Sequence, residues 1–422
     1  MSPSHASPPS PTDRSLDTTR RPLVLIWELT QACALACDHC RADAQPARHP
    51  DELTTAEGKA LLESAREFGD GQLVVLSGGD PLVRDDVDEL VAHGTDLGLR
   101  MTMTPSGTQS LTRQRIDTLS DAGLRRMAVS LDGASAETHD SFRGESGSFE
   151  ATIRAIEDAR AAGVPVQVNT TVCQATVDEL PVIRALLRDI GVVMWSVFFL
   201  VPVGRGRVLE SISPTRADEV MSWLEAVSES EPFGVKTTEA PQYRRVCLQS
   251  GGFRGSPGSR KSRGSGVETG ADMVTSRDLK SDTDTNMETE TDTNTNTEGT
   301  TPPTGLQRRG GIVAGDGFAF VSHTGEVYPS GFLPKSAGSV RERALTELYR
   351  ESDLFTALRD RDRLSGKCGA CPYRAVCGGS RSRAYAHSGD PLASDPLCPY
   401  VPAGYDGELP WDDPDAIPTP VS

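Results

Sequence analysis

The chain has 422 residues, enough for two domains and a small extra module, and its 36% apolar content supports packed cores only if part of it stays outside them. A formal charge of −17 argues against a nucleic-acid partner, whose phosphates need a basic face. Residues 1–20 lack a signal-peptide apolar core, and the longest apolar stretch, 192–203, falls short of the roughly twenty residues a bilayer requires, so a cytoplasmic, membrane-free protein is expected.

Residues 1–21 are Ser-, Pro- and Thr-rich and read as disordered. From 22 to 230, β-type runs at Leu23–Leu29, Leu73–Leu76, Leu99–Met103, Met127–Leu131, Val164–Val172 and Val193–Val201 alternate with helical spacing at Ala56–Phe68, Asp85–Leu97, Phe149–Ala162 and Val177–Ile190. In the third helical stretch Phe149, Ile153, Ile156 and Ala159 share a face, with Ser148 as N-cap and Gly163 as the C-terminal glycine. Six strand–helix units imply a parallel α/β sheet, either doubly wound or a partial barrel, with chemistry at the C-terminal strand ends. A bridging segment covers 231–248. Residues 249–310 hold eight Lys/Arg, nine Asp/Glu and almost no apolar residues, and read as a disordered insert. Order is expected again at 311–400, beginning with a hairpin of Phe318–Val321 and Glu326–Tyr328 and ending in a cysteine cluster. The Pro- and Asp-rich tail, 401–422, reads as loose.

Nine cysteines in a reducing compartment point to metal or catalysis before disulfides. Cys33-x3-Cys37-x2-Cys40 follows the first strand, and three thiolates at that spacing can hold three irons of a cubane cluster while leaving the fourth open. Zinc with His39 or a distant fourth ligand is the alternative. Ser77-Gly78-Gly79-Asp80-Pro81 follows the second strand; its glycines are a turn, or a place where backbone closely approaches a ligand. Cys368-x2-Cys371-x5-Cys377-x20-Cys398 supplies four thiolates for a second cluster or for zinc. Cys173 reads as packed core, and Cys247 is a further candidate ligand.

Taken together, WELTQACALACDHC, SGGDP, TPSG and SLDG, in order on successive strand ends, resemble the radical S-adenosylmethionine (SAM) superfamily over about residues 22–230. The resemblance implies a partial (β/α)6 TIM-like barrel in which Cys33, Cys37 and Cys40 bind a [4Fe-4S] cluster whose fourth iron is chelated by SAM. It also implies that Gly78, Gly79 and Asp80 line the methionine amino group. Thr104, Ser106, Ser130 and Asn169 would lie near the ribose or carboxylate, with adenine near Val201 and Pro202. His39 stands where an aromatic residue is common in that family. The C-terminal cysteines are similar to the SPASM module, a small α+β iron–sulfur unit, with two departures: Ser330 stands where a Cys often occurs, and Arg381 stands three residues after Cys377. Four thiols imply one auxiliary [4Fe-4S] cluster, bound by Cys368, Cys371, Cys377 and Cys398. The loop Asp140-x2-Arg143-Gly144 also resembles SPASM-type enzymes, and Arg205 and Arg207 could grip a carboxylate.

The implied activity is reductive cleavage of SAM to a 5′-deoxyadenosyl radical that takes a substrate hydrogen; no general acid or base is nominated, and the catalytic residues stay unassigned. The segment Trp27–Gln45, the GFLP hairpin and Cys-Gly-Gly-Ser-Arg look most like enzymes of haem and haem d1 synthesis, implying oxidative decarboxylation of iron-coproporphyrin III propionates. The expected partners are a small tetrapyrrole substrate and an electron donor such as ferredoxin or flavodoxin. A peptide maturase is the runner-up, and a metal-binding scaffold without activity is the third reading.

Overall fold

The computed structural model describes residues 17–251 and 312–418. The expected disorder of residues 1–16, nearly all of the 249–310 insert and the last four residues of the tail lie outside the described residues.

The six expected strands form in chain order as β1 (Val24–Glu28), β2 (Leu73–Ser77), β3 (Arg100–Met103), β4 (Arg126–Ser130), β5 (Val166–Val172) and β6 (Met194–Phe199), each parallel to its neighbour. The sheet then extends at both edges. A seventh strand not read from the sequence, β7 (Gly234–Thr238), joins β6; its GVKTT offers a lysine and a glycine where a β pattern needs apolar residues. At the other edge β8 (Phe318–Val321) pairs parallel to β1, placing Leu25 opposite Ala319, and β9 (Val327–Tyr328) returns antiparallel to β8. The result is one curled nine-stranded half-barrel, in the order β7-β6-β5-β4-β3-β2-β1-β8-β9.

Eight helices cover or follow the first seven strands: α1 (Thr55–Arg66), α2 (Val87–Asp96), α3 (Arg113–Asp121), α4 (Ala136–Arg143), α5 (Ser148–Ala161), α6 (Leu180–Ile190), α7 (Pro214–Ser230) and α8 (Gln242–Gln249). Four more follow the hairpin: α9 (Leu345–Glu351), α10 (Asp353–Arg359), α11 (Gly366–Gly369) and α12 (Arg381–Ser388). Strand alternation sends one set of side chains outward into the helix layer, where Trp27, Met101, Val129 and Trp195 are fully buried. The opposite set, including Thr104, Ser130 and Asn169, faces the concave side and stays polar. The half-barrel is thus greasy outside and hydrophilic within.

Local chemistry explains several boundaries. Thr54 and Glu57 form a reciprocal capping box at the start of α1. Gly58 lets α1 close on β1, since a Cβ there would stand 2.4 Å from the Trp27 ring. At α5 the expected N-cap is corrected: Gly147, at φ 82°, occupies that place, and Ser148 is the first helical residue, buried beside His139. The capping oxygens come from Asp140, which accepts from Gly147 N at 2.6 Å and Phe149 N at 2.7 Å. The described part of the tail makes contacts: Thr215 N donates to Pro414 O at 3.2 Å, and Lys367 Nζ lies 4.7 Å from the Trp411 ring centre. Among the described residues no helix is long and apolar enough to cross a membrane.

Candidate active site and thiol centres

The loop leaving β1 carries Cys33, Cys37 and Cys40, and its base is closed by Cys33 N to Gln45 O and Gln45 N to Gln31 O, both 2.9 Å. The loop leaving β2 lies directly against it. Gly79 N donates to Thr30 O at 2.8 Å and Asp80 N to Ala32 O at 2.7 Å. That approach requires glycine: a Cβ on Gly79 would meet Ala32 O at 2.3 Å, and one on Gly78, at φ 149°, would meet Thr30 O at 2.4 Å. The two motifs therefore form one unit of interlocked backbone.

A cavity of about 180 Å³ opens above them at the C-terminal strand ends. Cys33, Cys37, Cys40, Gly78, Gly79, Thr104, Ser106, Ser130, Asn169 and Val201 all line it. Asp80 and Pro202 are not among the lining residues. The Asp80 carboxylate is turned into the protein, where it accepts from Leu82 N at 3.2 Å and Thr108 Oγ1 at 3.1 Å, and burial raises its pKa. Ser106 ties the wall together, donating to Gly79 O at 2.5 Å and accepting from Cys33 Sγ at 3.4 Å. The His39 ring lies flat on Phe142, 4.8 Å between centres, and burial lowers its pKa to about 4, so it is neutral beside the thiols.

Among the lining residues that the sequence reading did not place in the cavity, three bear most on its chemistry. Arg143, at the end of α4, is buried among the three thiols; burial opposes its charge, but Cys37 and Asp132 outweigh that and raise its pKa. Its Nη2 donates to Ser106 O at 3.2 Å, while its Nε has no partner among the described residues. Phe198, inward on β6, and Phe332, beyond β9, face each other at 6.4 Å as an aromatic wall contributed from both halves of the chain. The only sequence signal was the Asp140-x2-Arg143 motif; a loop 130 residues from β6 left none for the wall. Arg205 lines the cavity too, but its guanidinium is engaged by Cys37 O and Ala44 O, each at 3.0 Å. Arg207 does not line it.

Cys368, Cys371, Cys377 and Cys398 line a second, much smaller space of about 20 Å³. Their sulfurs accept N–H groups: Tyr373 N to Cys371, Gly379 N to Cys377 and Asp395 N to Cys368, each at 3.4 Å, and Arg245 Nη2 to Cys398 at 3.9 Å. The two departures from the module pattern have structural roles. Arg381, fully buried, donates to Pro391 O and Ala393 O and reaches Cys368 Sγ at 3.7 Å. Ser330, Ser380 and Ser382 all donate to the Glu239 carboxylate. Burial pushes the Cys37 and Cys398 thiols up to about 11 each, so a metal group binding there displaces protons. Cys173 is buried beside Thr176, and Cys247 is buried in α8; neither lines a thiol centre.

Both thiol sets suit a thiolate-bound group: clustered sulfurs, each set with N–H donors turned toward sulfur, as iron–sulfur ligation uses to stabilise negative charge. Among the described residues no three His, Cys, Asp or Glu groups are arranged for a single metal ion. The fit therefore rests on donor chemistry rather than on a preformed mononuclear geometry. One buried residue links the two centres. Arg383 of α12 donates to Phe199 O and Leu200 O in the cavity wall, both at 3.1 Å, and to Glu239 O at 2.8 Å. Its other side pairs with Asp395 at 3.3 Å, the residue whose N–H meets Cys368.

Comparison with known proteins matches residues 27–184 to the Radical SAM superfamily. The chain is 37% identical to the AdoMet-dependent heme synthase of Methanosarcina barkeri, covering 91% of this chain and 98% of that one. It is 30% identical to the pre-heme d1 synthase of Dinoroseobacter shibae, covering 96% and 91%. Among solved structures, Streptococcus suis SuiB bound to S-adenosylmethionine shares the fold, with a TM-score of 0.62 at 13% identity over 90% of this chain and 78% of that one.

Proposed function

Because this chain belongs to the radical SAM superfamily, we propose that it uses SAM to decarboxylate propionate side chains of iron-coproporphyrin III oxidatively in haem synthesis. The observation that carries this reading is similarity to a heme synthase along almost that relative's whole length, combined with two thiol centres in this chain. A [4Fe-4S] cluster at Cys33, Cys37 and Cys40, when bound with SAM, supplies the electron for homolytic C–S cleavage and hence the hydrogen-abstracting radical.

In this reading Gly78 and Gly79 present main-chain groups to the methionine end of SAM, beside Asp80. Arg143 offers its unpartnered N–H to the carboxylate. Thr104, Ser106, Ser130 and Asn169 supply hydroxyl and amide partners near the ribose, and Val201 an apolar rest for adenine. Phe198 and Phe332 hold a flat substrate and keep water from the reacting carbon. Cys368, Cys371, Cys377 and Cys398 would hold an auxiliary [4Fe-4S] cluster, which would supply one-electron acceptor chemistry for the substrate, with ferredoxin or flavodoxin as donor to the first centre. A radical SAM core at 22–230 and an auxiliary region at 311–400 divide this labour, and a reducing cytoplasm suits nine free thiols.

The test is anaerobic reconstitution. About eight irons per chain are expected for two cubanes, and replacing Cys33, Cys37 and Cys40 together by Ala should halve the iron and abolish 5′-deoxyadenosine. Robust 5′-deoxyadenosine formation without conversion of iron-coproporphyrin III to a vinyl product would overturn the substrate.

A further inference from the structure

The concave face of the half-barrel carries three cations that nothing described above uses. Val235, Met127, Val129, Met101 and Met103 pack outward into the two hydrophobic cores. Alternation therefore turns Lys236 of β7, Arg126 of β4 and Arg100 of β3 inward, onto the face that bears Thr104, Ser130 and Asn169. Register supports the placement of Lys236: it pairs with Ser196, Ser196 with Asn169, and Asn169 with Ser130.

None of the three has a carboxylate partner among the described residues. Arg100 Nε donates to Gly71 O at 2.9 Å, and the Lys236 and Arg126 side chains donate to no described group. Glu28, the inward carboxylate of β1, is taken by Arg41 at 3.0 Å and His323 at 2.8 Å. Lys236 is exposed to solvent, as expected for a group projecting into an open lumen, while the protein around it still disfavours its charge. Burial, then the charge of Arg126, lowers its pKa to about 8, and burial, then Arg100, lowers that of Arg126. Three like charges sharing a lumen repel one another, and in a chain of net charge −17 with only six lysines their lack of partners points to an anion from outside.

We infer that Lys236, Arg126 and Arg100 form a carboxylate-anchoring site on the inner wall of the half-barrel, for a small molecule that carries several carboxylates. Bound there, such a molecule is held by the part that does not react while the rest reaches the thiol-lined cavity. Naming that molecule as iron-coproporphyrin III rests on the function proposed above; the site itself does not.

The experiment titrates the reconstituted enzyme with iron-coproporphyrin III, following the Soret band, and in parallel with mellitate, a benzene hexacarboxylate, following the thermal midpoint. Lys236→Met and Arg126→Met should each weaken porphyrin binding about 10-fold or more, as loss of one charge-assisted contact does. Lys236→Arg should restore it, and iron content should stay at the wild-type level in all three variants as a check on folding. If wild type binds mellitate but no porphyrin, and the Met variants bind neither, the haem reading fails while the anion site stands. Wild-type affinity for both ligands in both Met variants, or no binding of either ligand by the wild type, overturns the site.

Discussion

Replacing Gly79 by Ala tests whether the two loops form one unit. Gly79 does not have a left-handed φ, so the substitution carries no backbone penalty and its cost is steric alone. The new methyl would stand 2.3 Å from Ala32 O and 2.7 Å from Gln31 O, both main-chain atoms with no flexible end to swing aside. Relief to ordinary contact requires the loops to part by roughly 1 Å, and overpacking of this kind costs about 1–3 kcal/mol. For a domain of this size that is a fall of roughly 2–12 °C in thermal midpoint. The same displacement moves Cys33 away from Ser106, and a 1 Å error at a reacting centre can lower activity about 100-fold. Gly98→Ala is the control: it sits at φ 76° with nothing within 4 Å, so it should cost only about 1 kcal/mol and leave activity intact. The assay is thermal unfolding, iron content and 5′-deoxyadenosine formation for both variants. A Gly79→Ala protein with wild-type 5′-deoxyadenosine formation, or one no more impaired than Gly98→Ala, would refute the interlock.

Further outcomes are expected elsewhere. Arg383→Met leaves the fully buried Asp395 without its cation and should cost about 3–5 kcal/mol; denaturant titration and iron analysis should show the auxiliary iron lost first, and retention of all the iron and of wild-type stability would contradict the bridging role. Cys398→Ala should remove or open the auxiliary centre while the first centre keeps its iron and still cleaves SAM slowly with dithionite, but forms no product; full turnover would leave the second centre without an electron role. Lys236 has a folded pKa near 8 against an ordinary 10.5, so the unfolded chain binds more protons between those values and stability should rise with pH across that window. Lys236→Met should accordingly raise the thermal midpoint at pH 7 and lose that advantage near pH 10.5; an equal gain at both pH values would contradict this. Cys247, buried and with its thiol pushed up to about 12, should escape iodoacetamide in the native protein, as peptide mass spectrometry would show.

Much of the molecule was legible from local chemistry. Six β-type runs recur as β1 to β6 within two residues at each end, because apolar alternation and flanking glycines are properties of neighbouring residues. The cysteine spacings and the glycine pair were legible for the same reason, and all three thiols of the first set line one cavity with both glycines. Other features depend on who packs against whom. Short α4, β7 with its lysine, and the capping of α5 by Asp140 from seven residues upstream have no periodic signature. The pairing of β8 with β1 closes a sequence separation of nearly 300 residues, which no local pattern encodes. That pairing brings Phe332 to Phe198, while Arg383 reaches Leu200 and Glu239 reaches Ser330 through the same tertiary closure. Sequence alone thus determined the thiol sets and the strand-end motifs, since each is a pattern of spacing along a short stretch of chain. Only the tertiary structure decided that Asp80 turns away, that Arg143 stands among the thiols and that three cations share the inner wall, because burial and charge neighbours exist only once the sheet has curled.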